Sequence, residues 1–262
     1  MKYGIYYAYW EKEWNGDYKY YIDKISKLGF DILEISCGAF SDYYTKDQEL
    51  IDIGKYAKEK GVTLTAGYGP HFNESLSSSE PNTQKQAISF WKETLRKLKL
   101  MDIHIVGGAL YGYWPVDYSK PFDKKRDLEN SIKNMKIISQ YAEEYDIMMG
   151  MEVLNRFEGY MLNTCDEALA YVEEVGSSNV GVMLDTFHMN IEAAIRKAGD
   201  RLCHFHIGEG NRKVPGKGML PWNEIGQALR DINYKRAAVM EPFVMQGGTV
   251  GHDIKIWRDV IG

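Results

Sequence analysis

Eight short apolar, β-branched runs punctuate this chain, and longer amphipathic segments separate them. The runs are Tyr3–Tyr9, Asp31–Ser36, Thr63–Gly67, Ile103–Ala109, Met148–Leu154, Val180–Asp185, Cys203–Ile207 and Ala237–Pro242. Between them the spacing predicts helices over Tyr18–Leu28, Glu49–Lys60, Thr83–Leu100, Asp127–Glu144, Thr164–Val175 and Trp222–Asp231. Strands buried on both faces read as continuous apolar runs, and a strand–helix–strand repeat implies parallel neighbours. Right-handed crossovers wind eight such strands into a closed (β/α)8 barrel. A doubly wound open sheet is the competitor, but it leaves edges unexplained, and the chain has no GxGxxG phosphate loop. The expected fold is α/β, a single TIM barrel spanning residues 1–262.

Local chemistry supports these boundaries. Gly29 and Gly61 each follow a basic helix end as a stop signal, and Thr164 precedes the acidic turn Asp166-Glu167, which suits a helix start. Ile88, Trp91 and Leu95 stand one helical turn apart and form a core-facing stripe. After the eighth run only Gly251–Gly262 remains for a helix, so the last one is expected to be truncated.

A hydrophobic share of 44% and a charged share of 26% are those of an ordinary globular protein with a large core. A net charge of −5 argues against a nucleic-acid binder, which would carry a basic face. The three cysteines, Cys37, Cys165 and Cys203, lack framework or CxxC spacing, which fits a reduced compartment. With no signal-peptide pattern and no long apolar run, a cytoplasmic protein without a membrane segment is expected. Tyrosine is abundant, 19 residues, and its ordinary role is packing with the hydroxyl reaching a polar partner.

Polar groups sit at the C-terminal ends of the last four runs, where barrels place their chemistry. These are Glu152 in Met149-Gly-Met-Glu-Val-Leu154, Asp185 in Met183-Leu-Asp185, His206 in Cys203-His-Phe-His206 and Glu241 in Val239-Met-Glu241. One such carboxylate is an ordinary solvated strand end. Three carboxylates and one imidazole on four successive strands converge on the barrel axis and make an oxygen-rich site for Mn²⁺, Co²⁺ or Mg²⁺ rather than structural zinc. His204 shares a strand face with His206 but lies deeper, which makes it a buried, hydrogen-bonded residue. Glu152 and Glu241 can flank a substrate carbon, one removing a proton and the other returning one, beside a metal-polarised carbonyl.

Loop residues complete the expected site. His188 follows Asp185 within reach of a substrate oxygen, Arg156 and Glu158 overhang the fifth strand, and Arg212 lies in the Gly-rich basic segment Asn211–Gly218. Tyr6 and Trp114 offer an aromatic wall. His71, His104 and His252 have no comparable setting.

Met151-Glu-Val-Leu-Asn-Arg-Phe-Glu158, Met183-Leu-Asp-Thr-Phe-His-Met-Asn-Ile191, Gly208-Glu-Gly-Asn-Arg-Lys-Val-Pro-Gly216 and Met240-Glu-Pro-Phe243 resemble the ketose 3-epimerases. These are the D-tagatose and D-psicose (D-allulose) 3-epimerase family within the xylose-isomerase-like TIM barrels. The resemblance runs from Gly4-Ile-Tyr-Tyr-Ala-Tyr-Trp10 to Gly247-Gly-Thr249. It implies Glu152, Asp185, His206 and Glu241 as metal ligands, with Glu152 and Glu241 also the acid–base pair. It implies Glu158, His188 and Arg212 at the O1–O3 end of the sugar and Tyr6 and Trp114 as aromatic contacts. It further implies Mn²⁺ or Co²⁺, C3 epimerisation of free ketohexoses such as D-fructose and D-psicose through an enediolate, and a homodimer or tetramer. Two departures stand out: Ala193-Ala-Ile195 follows Glu192 sooner than the family's longer acidic loop allows, and the chain ends early.

An aldose–ketose isomerase on the same barrel would share the metal logic while moving the proton between C1 and C2. An abasic-site endonuclease would need more histidines and a basic groove. A non-catalytic sugar-binding barrel would have no use for two facing glutamates.

Overall fold

The computed structural model describes residues 1–11, 16–188 and 191–242. Eight parallel strands close on themselves: β1 (Lys2–Tyr6), β2 (Ile32–Ser36), β3 (Thr63–Gly67), β4 (Ile105–Gly108), β5 (Met148–Glu152), β6 (Val180–Asp185), β7 (Leu202–Ile207) and β8 (Ala237–Met240). Closure is made by β1 on β8, with Gly4 opposite Val239 and Ile5 opposite Met240. The TIM barrel expected from the sequence is therefore the fold. The outer helices are α1 (Tyr18–Leu28), α2 (Ala39–Asp42), α3 (Asp47–Glu59), α4 (Pro81–Leu100), α5 (Lys124–Tyr145), α6 (Cys165–Val175), α7 (Glu192–Ala198) and α8 (Trp222–Asp231).

Element ends follow their caps. Gly29, at φ 80°, stops α1 in the left-handed conformation that glycine tolerates. The α6 start is a capping box, in which Thr164 accepts from Glu167 N while Glu167 accepts from the Thr164 backbone. Helix α5 begins at Lys124 rather than Asp127 because the Asp123 side chain caps it through Arg126 N. Helix α4 begins at Pro81, whose missing N–H costs nothing in a first turn. Trp91 and Leu95 point fully into the core with Ile88 packed at its edge.

Several strands are shorter than their apolar runs. Pairing of β1 with β2 ends at Tyr6 opposite Glu34, and Tyr7–Tyr9 turn into a 3-10 helix closed by Trp10 N on Tyr7 O. Tyr7 packs there edge-on against Tyr6 and Tyr18, so apolarity beyond Tyr6 serves an aromatic cluster rather than the sheet. At the other end β8 stops at Met240, yet Glu241 N still bonds Ile207 O at 3.0 Å and pins the next residue. The segment after Glu192 enters α7 directly. Met189 and Asn190, in the loop expected to be short, and Phe243–Gly262, with the last helix expected to be truncated, Gly247–Thr249 and His252, lie outside the described residues.

Glycine shapes the barrel interior at Gly107 on β4. A Cβ there would stand 2.3 Å from Met183 Sδ and 3.1 Å from His204 Cδ2, so β6 and β7 side chains occupy the space that β4 leaves open. All three cysteines are buried and free. Among the described residues no helix is long and apolar enough to cross a membrane.

Candidate active site

The four strand-end residues meet. One ligand-type atom from each of Glu152, Asp185, His206 and Glu241 lies within 4.8 Å of the other three. They come from β5, β6, β7 and the residue just past β8, and Asp185 pairs in register with His206. Backbone geometry aims them: Asp185 Oδ1 accepts from Phe187 N at 2.8 Å, which turns Oδ2 toward the axis. The β6 and β7 ends are also tied by Thr186, whose hydroxyl donates to Gly208 O and accepts from Gly208 N.

Glu152 Oε1, Asp185 Oδ2 and His206 Nδ1 are buried and make no hydrogen bond among the described residues. Their neighbours stand further off: His188 Nε2 is 3.6 Å from both carboxylates, and His206 Nδ1 is 3.4 Å from Glu241 Oε1. Buried lone pairs left unmet are costly. Three carboxylates and one imidazole turned toward one point fit a divalent cation, which offsets the crowding of negative charge.

The charges polarise the site in the field of the protein's own groups. Burial, then the nearby Glu241 charge, lifts the Glu152 carboxyl well above its usual range. Burial likewise lifts Asp185 to about 6, against the pull of Arg212. Burial also works against the charged form of Glu241, but His206 and Arg212 outweigh it and hold that carboxyl low. His206 is raised by Glu34 and Glu241 despite its burial.

His188 has a defined tautomer. Asn155 donates to its Nδ1 from the backbone at 3.2 Å, so the proton resides on Nε2, which faces the cluster. Burial, reinforced by Arg212, pushes its pKa down to about 3. The ring is therefore neutral, and its 3.6 Å approaches to Glu152 and Asp185 are neither ion pairs nor hydrogen bonds.

Arg212 roofs the cluster. Its Nη1 donates to Glu241 Oε2 at 3.0 Å and lies 3.8 Å from Asp185, while Nη2 donates to Glu158 Oε1 at 3.3 Å. The guanidinium stacks 3.6 Å above the Phe187 ring. Glu158 also accepts from Trp114 Nε1 at 3.2 Å. Tyr6, Trp114, Glu158, His188 and Arg212 all line one cavity of 370 Å³ with Glu152, His206 and Glu241 in its wall, a size typical of small-molecule sites. Arg156 is exposed and does not line the cavity, and its carbonyl accepts from Tyr118 OH. His71, given no role from sequence, also borders the cavity, while His104 pairs with Asp102 and Asp146 on the surface.

Sequence reasoning missed Glu34. This fully buried β2 carboxylate takes His206 Nε2 on Oε1 at 2.5 Å and His204 Nε2 on Oε2 at 2.7 Å, with Thr65 OH also on Oε2. Burial works against its charge, but the two imidazoles hold its carboxyl far below the usual range. Glu34, His204 and His206 are close enough to resemble a second metal cluster, yet they already bond one another and serve as support. The signal available was a lone carboxylate inside Ile32-Leu-Glu-Ile-Ser36.

Residues 22–261 match the family described as xylose isomerase-like TIM barrel. The chain is 62% identical to a D-psicose 3-epimerase of Enterocloster bolteae, across 100% of this chain and 88% of that one. It is 51% identical to a D-psicose 3-epimerase of Agrobacterium fabrum, across 100% and 92%. Among solved structures, D-psicose 3-epimerase with D-tagatose from Clostridium cellulolyticum H10 superposes with a TM-score of 0.91 at 51% identity, covering 99% of this chain and 91% of that one. The barrel, its four converging strand ends and these full-length likenesses place the chain in the ketose 3-epimerase family of xylose isomerase-like TIM barrels.

Proposed function

We propose that this protein is a metal-dependent isomerase that interconverts D-fructose and D-psicose (D-allulose), and related free ketohexoses, at C3. The observation that carries the reading is the set of buried, unbonded ligand atoms of Glu152, Asp185 and His206, facing Glu241 at the wall of a sugar-sized cavity. The full-length likeness to proteins named D-psicose 3-epimerase supplies the substrate.

Glu152, Asp185, His206 and Glu241 would hold the cation, Mn²⁺ or Co²⁺ with Mg²⁺ as a weaker candidate. When bound, the cation would supply positive charge to balance the oxygen charge that develops as the C3 proton is lost. Glu152 and Glu241 then act from opposite faces of C3: one takes the proton, the other returns one, and the enediolate between them loses its stereochemistry. His188 donates from Nε2 to a sugar oxygen. Arg212 and Glu158, already paired, grip the O1–O3 end, and Tyr6 and Trp114 hold the apolar face and exclude water. The same reading covers one domain across residues 1–262, a homo-oligomer, a cytoplasmic setting, and neither nucleic acid nor membrane as partner.

The test is incubation of D-fructose with the purified protein, with Mn²⁺ or with EDTA, followed by sugar chromatography. D-psicose that appears with metal and vanishes with chelator is the expected result. D-glucose or D-mannose instead would assign a C1–C2 isomerase, and no turnover of any free ketose would refute the reading.

A further inference from the structure

Glu209 is a carboxylate with no solvent exposure, yet it stands outside the metal cluster. Its partners among the described residues are neutral N–H groups. Oε1 accepts from Trp222 Nε1 at 2.6 Å and from Gly216 N at 2.8 Å, and Oε2 accepts from Leu220 N at 3.2 Å. Gly218 presses against the same carboxylate, for a Cβ there would meet Oε2 at 2.2 Å and Cδ at 2.6 Å. The loop from β7 to α8 is thus folded around one side chain that joins its start, its middle and the first residue of α8.

Arg212 lies inside this knot. Main-chain bonds from Arg212 N to Glu209 O at 2.8 Å and from Glu209 N to Lys213 O at 2.9 Å close the turn that carries it. Arg212 itself adopts φ 57°, a left-handed conformation that an arginine keeps only when its surroundings impose it. The result is a guanidinium delivered between Glu241, Glu158 and Asp185, which belong to other elements.

We propose that Glu209 is a positioning residue for the sugar site: its carboxylate anchors the 209–222 loop and sets where Arg212 stands. This rests on the sugar-epimerase reading above, and it acts through Arg212, which touches both Glu158 and Glu241. A glutamine at 209 keeps one acceptor oxygen and turns an NH2 group toward a donor that needs an oxygen.

The experiment compares the Mn²⁺-loaded protein with Glu209→Gln and with Trp222→Phe, which deletes one donor and keeps an aromatic ring. The expected result for Glu209→Gln is a KM for D-fructose raised ~10-fold with kcat lowered by a smaller factor. Trypsin should cut after Arg212, Lys213 or Lys217 at least ~10-fold faster, and Trp222→Phe should shift both readings the same way by less. An unchanged KM, or a fall in kcat alone, overturns the proposal. If Glu209→Gln does not fold, Trp222→Phe decides by the same criteria. If the parent protein turns over no ketose, the functional reading fails separately, and loop cleavage unchanged in both variants overturns the anchor.

Discussion

Glu34 on β2 reaches across the barrel to His206 on β7, where the 2.5 Å bond between Oε1 and Nε2 leaves Nδ1 as the face turned to the cluster. A carboxylate behind a ligating imidazole fixes the ring and raises its basicity. Glu34→Gln is therefore expected to weaken Mn²⁺ binding ~10–100-fold. Metal titration of the folded variant checks this, and an unchanged affinity would remove Glu34 from the account.

Asn155 holds His188 by two donors, its backbone N–H at 3.2 Å and its side-chain amide at 2.9 Å. Asn155→Asp removes the side-chain donor and sets a negative charge beside Nδ1. That favours a proton on Nδ1 at the expense of the Nε2 donor. The KM for D-fructose is expected to rise ~10-fold, since a charge-linked hydrogen bond in a buried site is worth that order. Steady-state kinetics on Asn155→Asp and Asn155→Ala read the effect.

Gly107→Ala forces a methyl into Met183 Sδ at 2.3 Å inside a filled barrel, where Met183 is itself fully buried. Overpacking of this kind costs about 1–3 kcal/mol, to be read from denaturant unfolding. Met183→Ala in the same chain is expected to recover part of the loss, a coupling that distant sites would not display.

The α6 cap makes a pH-dependent contribution. Burial alone would raise Glu167, but Lys124 and the N–H groups of Asn163 and Thr164 outweigh it and lower its carboxyl below the ordinary 4.5. A depressed folded value means the stabilisation is present above the unfolded value and is lost as pH falls through the folded one. Thermal unfolding should thus lose this contribution only below about pH 4.5, and Glu167→Gln should lack that acid limb. Thr164→Ala is expected to cost about 1 kcal/mol at neutral pH.

Much of this molecule was legible along the chain because its signals are local. An apolar run ending in a polar residue marks a strand and its mouth together, so Glu152, Asp185, His206 and Glu241 could be read from four short stretches. Glu34 was hidden because its partners are 170 and 172 residues away, and nothing within Ile32–Ser36 announces them. The end of β1 was misplaced for a related reason: Tyr7 is fully buried, but its ring packs on Tyr18 and Tyr21 of α1 instead of extending the sheet. Nothing local singles out Glu209, because the donors that bury it follow it by seven to thirteen positions.

The central claim is that Glu152 and Glu241 move a proton at C3 from opposite faces. Turnover of D-fructose in D2O with Mn²⁺, followed by NMR of the product, tests it most directly. The expected result is D-psicose carrying deuterium at C3 and none at C1, with formation abolished by EDTA. Deuterium at C1, or D-psicose formed with no deuterium at all, would contradict it.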